Sequence, residues 1–115
     1  MNLFSIPQKT KEEFSRLLAR ADNCRVEHMI SQGHCSPNGF WYDQTEDELV
    51  CLLSGSALLV FAHFQVVLTA GDTIFIPARQ KHRVEATSHT PACVWLCIFG
   101  RFDQTIVQEN PHENF

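Results

Sequence analysis

The sequence is short of basic residues and contains no long apolar run. Nine lysines and arginines stand against 13 aspartates and glutamates, which gives a formal net charge of −4 at pH 7. A surface with this balance does not attract a polyanion, so we expect no nucleic acid partner. No apolar stretch approaches the ~20 residues that a membrane-spanning helix needs, so we expect no membrane insertion.

The sequence also lacks the features of a secreted protein. Its five cysteines form an odd set without CxxC spacing, so free thiols are predicted in place of a disulfide framework. The N-terminal stretch MNLFSIPQKTKEEF has neither the long apolar core nor the small-residue cleavage site of a signal peptide. These absences predict a cytoplasmic protein.

The composition is that of one folded domain. A chain of 115 residues is long enough for one hydrophobic core, and 44% hydrophobic and 19% charged residues are typical of a globular protein. We divide the chain into an N-terminal segment with a helix (residues 1–22), a barrel (residues 23–102) and a polar C-terminal tail (residues 103–115).

A capping-box pattern opens the first periodic stretch. Thr10 precedes Glu13 by three residues, so the threonine can cap the glutamate amide while the glutamate reaches back. Apolar residues then recur at helical spacing, namely Phe14, Leu17, Leu18 and Ala21. The pattern predicts one short helix over residues 11–21.

After residue 22 the hydrophobic pattern changes to a period of two. Val26, His28 and Ile30 alternate with Arg25, Glu27 and Met29, as in a half-buried strand. Further short strands follow, separated by turn sequences rich in glycine and proline. Many short, evenly spaced strands predict an all-β sandwich or barrel.

Two motifs in this β region resemble those of the cupin superfamily. Glu48 is followed by six residues and Gly55, as at the end of the first cupin motif. Gly71, five residues, Pro77 and then His82 match the second motif in order and spacing. The chain thus resembles a small single-domain bacterial cupin, and the resemblance implies a double-stranded β-helix, also called a jelly-roll barrel.

The resemblance further implies one divalent metal (manganese, iron, nickel, copper or zinc) inside the barrel. The first motif normally supplies two histidines before its glutamate. If four residues separate the second histidine place from Glu48, the two places fall on Trp41 and Asp43. If three residues separate them, the two places fall on Tyr42 and Gln44. Neither alternative supplies a histidine.

Of the usual metal ligands, Glu48 and His82 carry over residue by residue. Asp43 is the natural third ligand, because it stands at a histidine place and has a hard oxygen donor. His28 and His34 are possible substitutes from neighbouring strands. The predicted metal ligands are therefore Asp43, Glu48 and His82.

Strand alternation predicts which residues share the inner face with Glu48. Glu46 would crowd Glu48, and two neighbouring carboxylates either raise one pKa or recruit a cation. The alternative is that residues 43–47 form a loop with Glu46 in solvent. The predicted pocket-lining residues are Trp41, Glu46, Val50, Leu52, Phe75 and Val84. Arg79, Lys81 and Arg83 recur every two residues and indicate a solvated outer face or, second, an anion-binding rim.

Two kinds of function agree with these features. The first is a metal-dependent enzyme, such as an isomerase, dioxygenase or lyase, that acts on a small metabolite. The second is a non-catalytic protein that binds a small molecule in an apolar pocket, or a dimeric structural cupin with an eroded motif. We expect a homodimer, to which the outward apolar residues of the 93–99 strand contribute.

Overall fold

The computed structural model describes residues 1–107, in which eight β-strands form two antiparallel sheets. The strands are β1 (Phe14–Ala21), β2 (Cys24–Ser31), β3 (Asp47–Ser54), β4 (Ser56–Phe61), β5 (Gln65–Thr69), β6 (Thr73–Ile76), β7 (His82–Thr87) and β8 (Cys93–Gly100). The larger sheet has the order β1-β2-β8-β3-β6 and the smaller has the order β5-β4-β7. The all-β prediction is confirmed.

The predicted helix over residues 11–21 is wrong. The chain there forms β1, an edge strand that pairs antiparallel with β2 from Phe14 opposite Ile30 to Ala21 opposite Cys24. The capping box does not form, because the carboxylate of Glu13 accepts a hydrogen bond from the hydroxyl of Ser31 instead. Pairing with β2 satisfies the backbone along the whole segment, and this tertiary pairing overrides a weak local helix preference.

The hydrophobic core lies between the two sheets. Alternate residues of β3 turn inward, so that Glu48, Val50 and Leu52 are buried while their neighbours are less so. Leu68 of β5 and Ile74 of β6 are completely buried against them. The apolar core therefore continues directly into the region around Glu48.

The outer face of the larger sheet is covered by the N-terminal segment. Leu3 packs there against Ile30 and Val94, and its carbonyl oxygen lies 3.0 Å from Nε2 of His28. β8 is consequently a central strand, flanked by β2 and β3, with part of its outer face already covered by the same chain.

Gly55 and Arg79, which lie within the two motif regions, both have a positive φ angle. Gly55 has φ of 85°, and a Cβ there would lie 2.8 Å from the carbonyl oxygen of Ala92, so only glycine fits the tight turn between β3 and β4. Arg79 has φ of 68°, a backbone conformation that glycine adopts more readily than other residues.

The remaining described residues of the chain are largely exposed. Residues 101–106 lie at the surface, and residues 108–115 of the predicted tail lie outside the described residues. No helix in the described part of the chain has the length and apolar character required to cross a bilayer.

Candidate functional site

A cavity of about 410 Å³ opens among the inner faces of the strands, within the size range of small-molecule sites. Strands from both sheets and the loop before β3 form its wall. The lining residues are Glu13, Ser15, Arg25, Glu27, Met29, Tyr42, Gln44, Glu48, Val50, Leu59, Ile76, His82, Val84, Trp95, Cys97 and Phe99. Apolar walls with a few polar groups are typical of a ligand-binding site.

Glu48 and His82 meet on the wall of this cavity. Glu48 comes from β3 in the larger sheet, and His82 comes from the start of β7 in the smaller sheet. Oε1 of Glu48 lies 3.8 Å from Nε2 of His82, and the side chains are only 9% and 6% exposed. The structure thus brings together the two residues that the cupin-like motifs single out.

The imidazole of His82 is held in one orientation. Its ring stacks on Tyr42 with the centroids 5.3 Å apart, and Phe61 lies on the ring at 5.8 Å. Nδ1 lies 3.0 Å from the carbonyl oxygen of Gln80. Since a carbonyl only accepts, Nδ1 carries the hydrogen and Nε2 presents a lone pair near Glu48. Burial lowers the pKa of His82, which favours this neutral form.

The carboxyl group of Glu48 has a strongly altered acidity. Burial, the largest cause, raises the pKa of Glu48 from 4.5 to about 7. The negative charge of Glu27 adds to the rise, while polar contacts with Cys97 and Gln44 and the charge of Arg25 oppose it. A carboxyl group with this pKa can gain or lose a proton near neutral pH.

Arg25 lies farther out on the cavity wall, where its charge is already paired. Its Nε donates to Glu27 at 2.6 Å, and its Nη1 contacts Glu46. The guanidinium also lies over the ring of Phe99, 4.1 Å from the centroid. Glu46, predicted to crowd Glu48 in the pocket, instead binds Arg25 and does not line the cavity.

The loop before β3 presents Tyr42 and Gln44 to the cavity. Tyr42 pairs with the start of β7 through its backbone, since its amide donates to the carbonyl of His82 at 2.7 Å. Trp41, predicted to line the pocket, does not line the cavity and is 39% exposed. Neighbouring side chains in extended backbone point to opposite faces, so Tyr42 and Gln44 face the cavity whereas Trp41 and Asp43 do not. The site thus agrees with the alternative in which three residues separate the second histidine place from Glu48.

Of the other four predicted lining residues, two line the cavity and two do not. Val50 and Val84 line the cavity as expected. Leu52 is completely buried in the core, one inward position beyond Val50, and does not reach the cavity. Phe75 faces the opposite side of β6, where its ring packs edge-on against Phe102.

The donor set does not fit a divalent metal. Asp43, the predicted third ligand, forms an ion pair with Arg79 at 3.0 Å and does not line the cavity. His34 bonds to the carbonyl of Thr10, and His28 lies on the outer face of the sheet. Within residues 1–107 no three histidine, cysteine, aspartate or glutamate side chains are grouped to hold a metal, and stable sites need at least three.

Residues of β1 line the cavity although the sequence did not indicate them. Glu13 and Ser15 are on its wall because residues 14–21 are a strand and not a helix. Trp95 donates from Nε1 to Ser31 at 2.9 Å, and Ser31 donates in turn to Glu13. The helical spacing concealed the strand alternation that would have identified these residues.

Arg83 holds the loop that leads to Tyr42 through hydrogen bonds to its backbone. The prediction that it shares a solvated face is wrong, because its side chain is buried and donates to backbone carbonyls of the loop that leads to Tyr42. The acceptors are Ser36 at 3.1 Å, Pro37 at 3.0 Å and Phe40 at 3.3 Å. No local sequence pattern marks an arginine that binds a loop more than 40 residues away.

The family of the chain follows from the sequence and the fold together. The sequence matches the family model of the cupin domain over residues 28–99. The chain belongs to the cupin superfamily. Its two-sheet antiparallel β fold is thus that of a cupin domain.

Several solved structures are similar to this cupin. One from Ralstonia eutropha JMP134, described as that of a candidate mannose-6-phosphate isomerase, is 34% identical, with a TM-score of 0.83, and the match covers 89% of this chain and 97% of that one. A cupin superfamily protein from Desulfitobacterium hafniense DCB-2 is 20% identical, with a TM-score of 0.71 and 84% coverage of each chain.

A cupin-2 domain protein from Shewanella frigidimarina NCIMB 400 is 19% identical, with a TM-score of 0.63 and coverage of 82% of this chain and 84% of that one. At these lower identities the likeness concerns the fold alone. A comparison with curated proteins found no match.

Proposed function

We propose that this cupin binds a small organic molecule inside its barrel and orients it with Glu48 and His82. The observation that carries the proposal is the placement of these two buried polar side chains on the wall of an otherwise largely apolar cavity of about 410 Å³. Tyr42 and Gln44 add a phenol and an amide at the places where the resemblance puts histidines. These groups form hydrogen bonds to organic ligands and are weak ligands for a divalent metal.

A metal-dependent enzyme has less support. The predicted centre of Asp43, Glu48 and His82 requires Asp43 to leave Arg79 and turn into the barrel. Glu48 and His82 alone supply two ligands, fewer than a stable centre requires. Manganese, iron, nickel, copper and zinc are therefore not part of the proposal.

The experiment that tests the proposal measures bound metal and bound organic molecules on the same sample. The protein is purified without chelator or metal-affinity steps and is analysed by elemental analysis and native mass spectrometry. We expect no stoichiometric metal, and a bound small molecule that is lost in His82→Ala. About one metal per chain, lost in His82→Ala but retained in the matched surface variant His63→Ala, would contradict the proposal.

A second candidate function is proton transfer without a metal. It is favoured by Glu48, whose pKa is raised to about 7, beside an unprotonated nitrogen of His82 at 3.8 Å. Isomerisation of a sugar moves a proton between neighbouring carbon atoms, and the Ralstonia protein is described as a candidate isomerase. The test is conversion of mannose 6-phosphate to its ketose isomer, with Glu48→Gln expected to abolish turnover and Asp43→Asn expected to retain it.

We also propose that the protein forms a homodimer. Leu96 and Ile98 are half-buried on the outer face of β8, and Leu17 is exposed on the edge strand β1. An apolar outer face and an open sheet edge both favour association. Size-exclusion chromatography with light scattering tests this, and a monomeric mass at micromolar concentration would refute it.

A further inference from the structure

The charged groups on the cavity wall are mostly acidic. Glu13, Glu27 and Glu48 supply three carboxyl groups, and Arg25 supplies one guanidinium, which leaves a balance of −2 when all are ionised. No lysine is present among the cavity-lining residues in the described part of the chain. A ligand that carries a phosphate or a carboxylate would meet repulsion at this wall.

The single guanidinium is not free to receive an anion. Arg25 is bound on both sides, by Glu27 and by Glu46, and it lies over Phe99. An anionic ligand would have to displace one of these carboxylates from Arg25. Arg25 is therefore held by these two carboxylates and does not offer an unpaired positive charge to an anionic ligand.

His82 provides the observation that points to the chemistry of the ligand. Its side chain is more than nine-tenths buried, and Nδ1 is used by the carbonyl of Gln80. Nε2 makes no hydrogen bond to any of residues 1–107, and Oε1 of Glu48 at 3.8 Å lies beyond hydrogen-bond distance. Two acceptor atoms thus face one space, and neither can donate while Glu48 is ionised.

We propose that this space takes the protonated amine of a small organic cation, and that the ammonium group donates to both Glu48 Oε1 and His82 Nε2. This inference rests on the proposed function and names its ligand class. An ammonium nitrogen has three donors and no acceptor, so it can donate to two acceptors that have no hydrogen to share between them. Because the two atoms are 3.8 Å apart, a nitrogen that lies off the line between them can be about 2.8 Å from each, the length of a charge-assisted bond.

The walls around the pair suit the rest of such a ligand. Met29 and Trp95 line the same cavity and offer apolar surface, and the ring of Tyr42 lies on the imidazole of His82. A neutral hydroxyl has one donor and can serve only one of the two acceptors. The ammonium group is therefore the better match to Glu48 and His82 than an alcohol or a phosphorylated sugar.

Binding of a cation also couples to the proton on Glu48. An ammonium group beside the carboxylate lowers the pKa of Glu48 again, so binding releases a proton near neutral pH. The charged and titratable groups that face Glu48 are Arg25 and Glu27 from β2, Cys97 from β8, His82 from β7 and Tyr42 from the loop. Affinity for the amine should rise between about pH 6 and about pH 8 as Glu48 ionises.

The test uses matched probes on the full chain. Propylamine, cyclohexylamine and benzylamine are compared with 1-propanol, cyclohexanol, benzyl alcohol and mannose 6-phosphate by ligand-observed NMR at about pH 8, where Glu48 is mostly ionised. We expect at least one amine to bind at least about tenfold more tightly than its alcohol, because hydrogen bonds between charged groups are stronger than neutral ones. Glu48→Gln should remove this preference, and Asp43→Asn, the corresponding acid-to-amide change on the loop before β3 and outside the cavity, should retain it.

The outcomes separate this inference from the proposed function. Equal or tighter binding of the alcohols, or binding of mannose 6-phosphate in preference to every amine, would overturn the ammonium assignment and leave a small-molecule site in place. Absence of binding by every amine would also overturn it. Should Glu48→Gln unfold, loss of the amine preference at about pH 6 in the unmodified protein provides the same test, since Glu48 is then mostly protonated.

Discussion

The phenol ring of Tyr42 lies nearly parallel to the imidazole of His82, with the ring centroids 5.3 Å apart and an interplanar angle of 21°. The loop before β3 is thereby fixed to β7 by a side-chain contact as well as by the backbone bond from Tyr42 to His82. The stack shields one face of the imidazole from water. Tyr42 is thus both part of the cavity wall and the support that orients His82.

Replacing Tyr42 tests this relationship. We expect Tyr42→Ala to reduce the free energy of unfolding by about 1 kcal/mol, the scale of one aromatic pair, and to move the pKa of His82 back toward its ordinary value because the ring gains water. Tyr42→Phe keeps the stack and should leave both quantities almost unchanged. Urea denaturation gives the first quantity and NMR titration of the imidazole protons gives the second.

Trp41→Ala is the matched control, because Trp41 is an aromatic neighbour that does not line the cavity. If Trp41→Ala shifted the pKa of His82 as much as Tyr42→Ala does, the stacking contact would not be what sets the environment of His82.

Because the pKa of Glu48 is raised in the folded protein, we expect stability to fall as the pH rises. Its pKa is about 7 in the folded protein and 4.5 in the reference state, so the folded protein keeps a proton that the unfolded chain has lost between these values. Its contribution to stability is therefore full below about pH 4.5 and falls as the pH rises to about 7, by about 3 kcal/mol in all.

The measurement compares urea denaturation of the unmodified protein and Glu48→Gln across this pH range. Other groups titrate in both proteins, so the difference between the two curves isolates Glu48. We expect Glu48→Gln to be relatively more stable at about pH 8 than at about pH 4. A difference that does not change with pH would show that the folded protein does not perturb this carboxyl group.

Most of the fold, and the meeting of Glu48 and His82, could be predicted from the sequence. Short strands with turn residues between them specify an all-β chain, with turns at Gly55 between β3 and β4 and at Gly71 between β5 and β6. That Glu48 and His82 meet was implied by the resemblance to the two cupin motifs and not by these local patterns. The distance of 3.8 Å between the two side chains agrees with that reading.

The rest of the site depends on features that local patterns do not contain. Whether Asp43 or Gln44 turns inward depends on where the loop begins to pair with β7, which the bond between Tyr42 and His82 decides. Glu13 reaches the cavity because β1 pairs with β2, a tertiary contact that outweighs the helical spacing. Arg83 is buried because backbone carbonyls of a distant loop surround it.

The environment of His28, on the outer face of the larger sheet, leads us to expect a second effect of pH on stability. Its Nδ1 accepts a hydrogen bond from Nε of Arg16 at 3.1 Å, and its Nε2 donates to the carbonyl of Leu3 at 3.0 Å. Burial lowers the pKa of His28, and the nearby charge of Arg16 lowers it further. Protonation would place a hydrogen on Nδ1 and abolish the bond from Arg16.

Because the folded-state pKa of His28 lies below the ordinary value of 6.5, its contribution to stability is full above pH 6.5 and is lost as the pH falls below it. We expect the protection of amides in the N-terminal segment around Leu3, measured relative to their intrinsic exchange rates at each pH, to decrease in that direction. His28→Gln, which has both a donor and an acceptor but does not titrate, should suppress the change. His63→Gln, an exposed histidine, is the control, and an equal effect of both variants would refute the prediction.

Arg83 and Arg79 make a matched pair, because both are arginines next to the site and only one is buried. Arg83 donates to the carbonyl oxygens of Ser36, Pro37 and Phe40, whereas Arg79 forms an exposed ion pair with Asp43. Removal of Arg83 takes a donor away from three carbonyls, although that of Pro37 also accepts from the amide of Phe40, and releases the loop, while removal of an exposed ion pair costs little.

We therefore expect Arg83→Ala to lower the free energy of unfolding by about 2–3 kcal/mol and Arg79→Ala by less than about 1 kcal/mol. Arg83→Lys should recover only part of the loss, because one ammonium group cannot reach acceptors that a planar guanidinium serves together. Urea denaturation measures all three variants at one pH. Since the loop that Arg83 holds ends at Tyr42, Arg83→Lys should also weaken ligand binding in the cavity, whereas Arg79→Ala should not. Equal losses of stability in Arg83→Ala and Arg79→Ala would mean that the buried guanidinium does not anchor the loop.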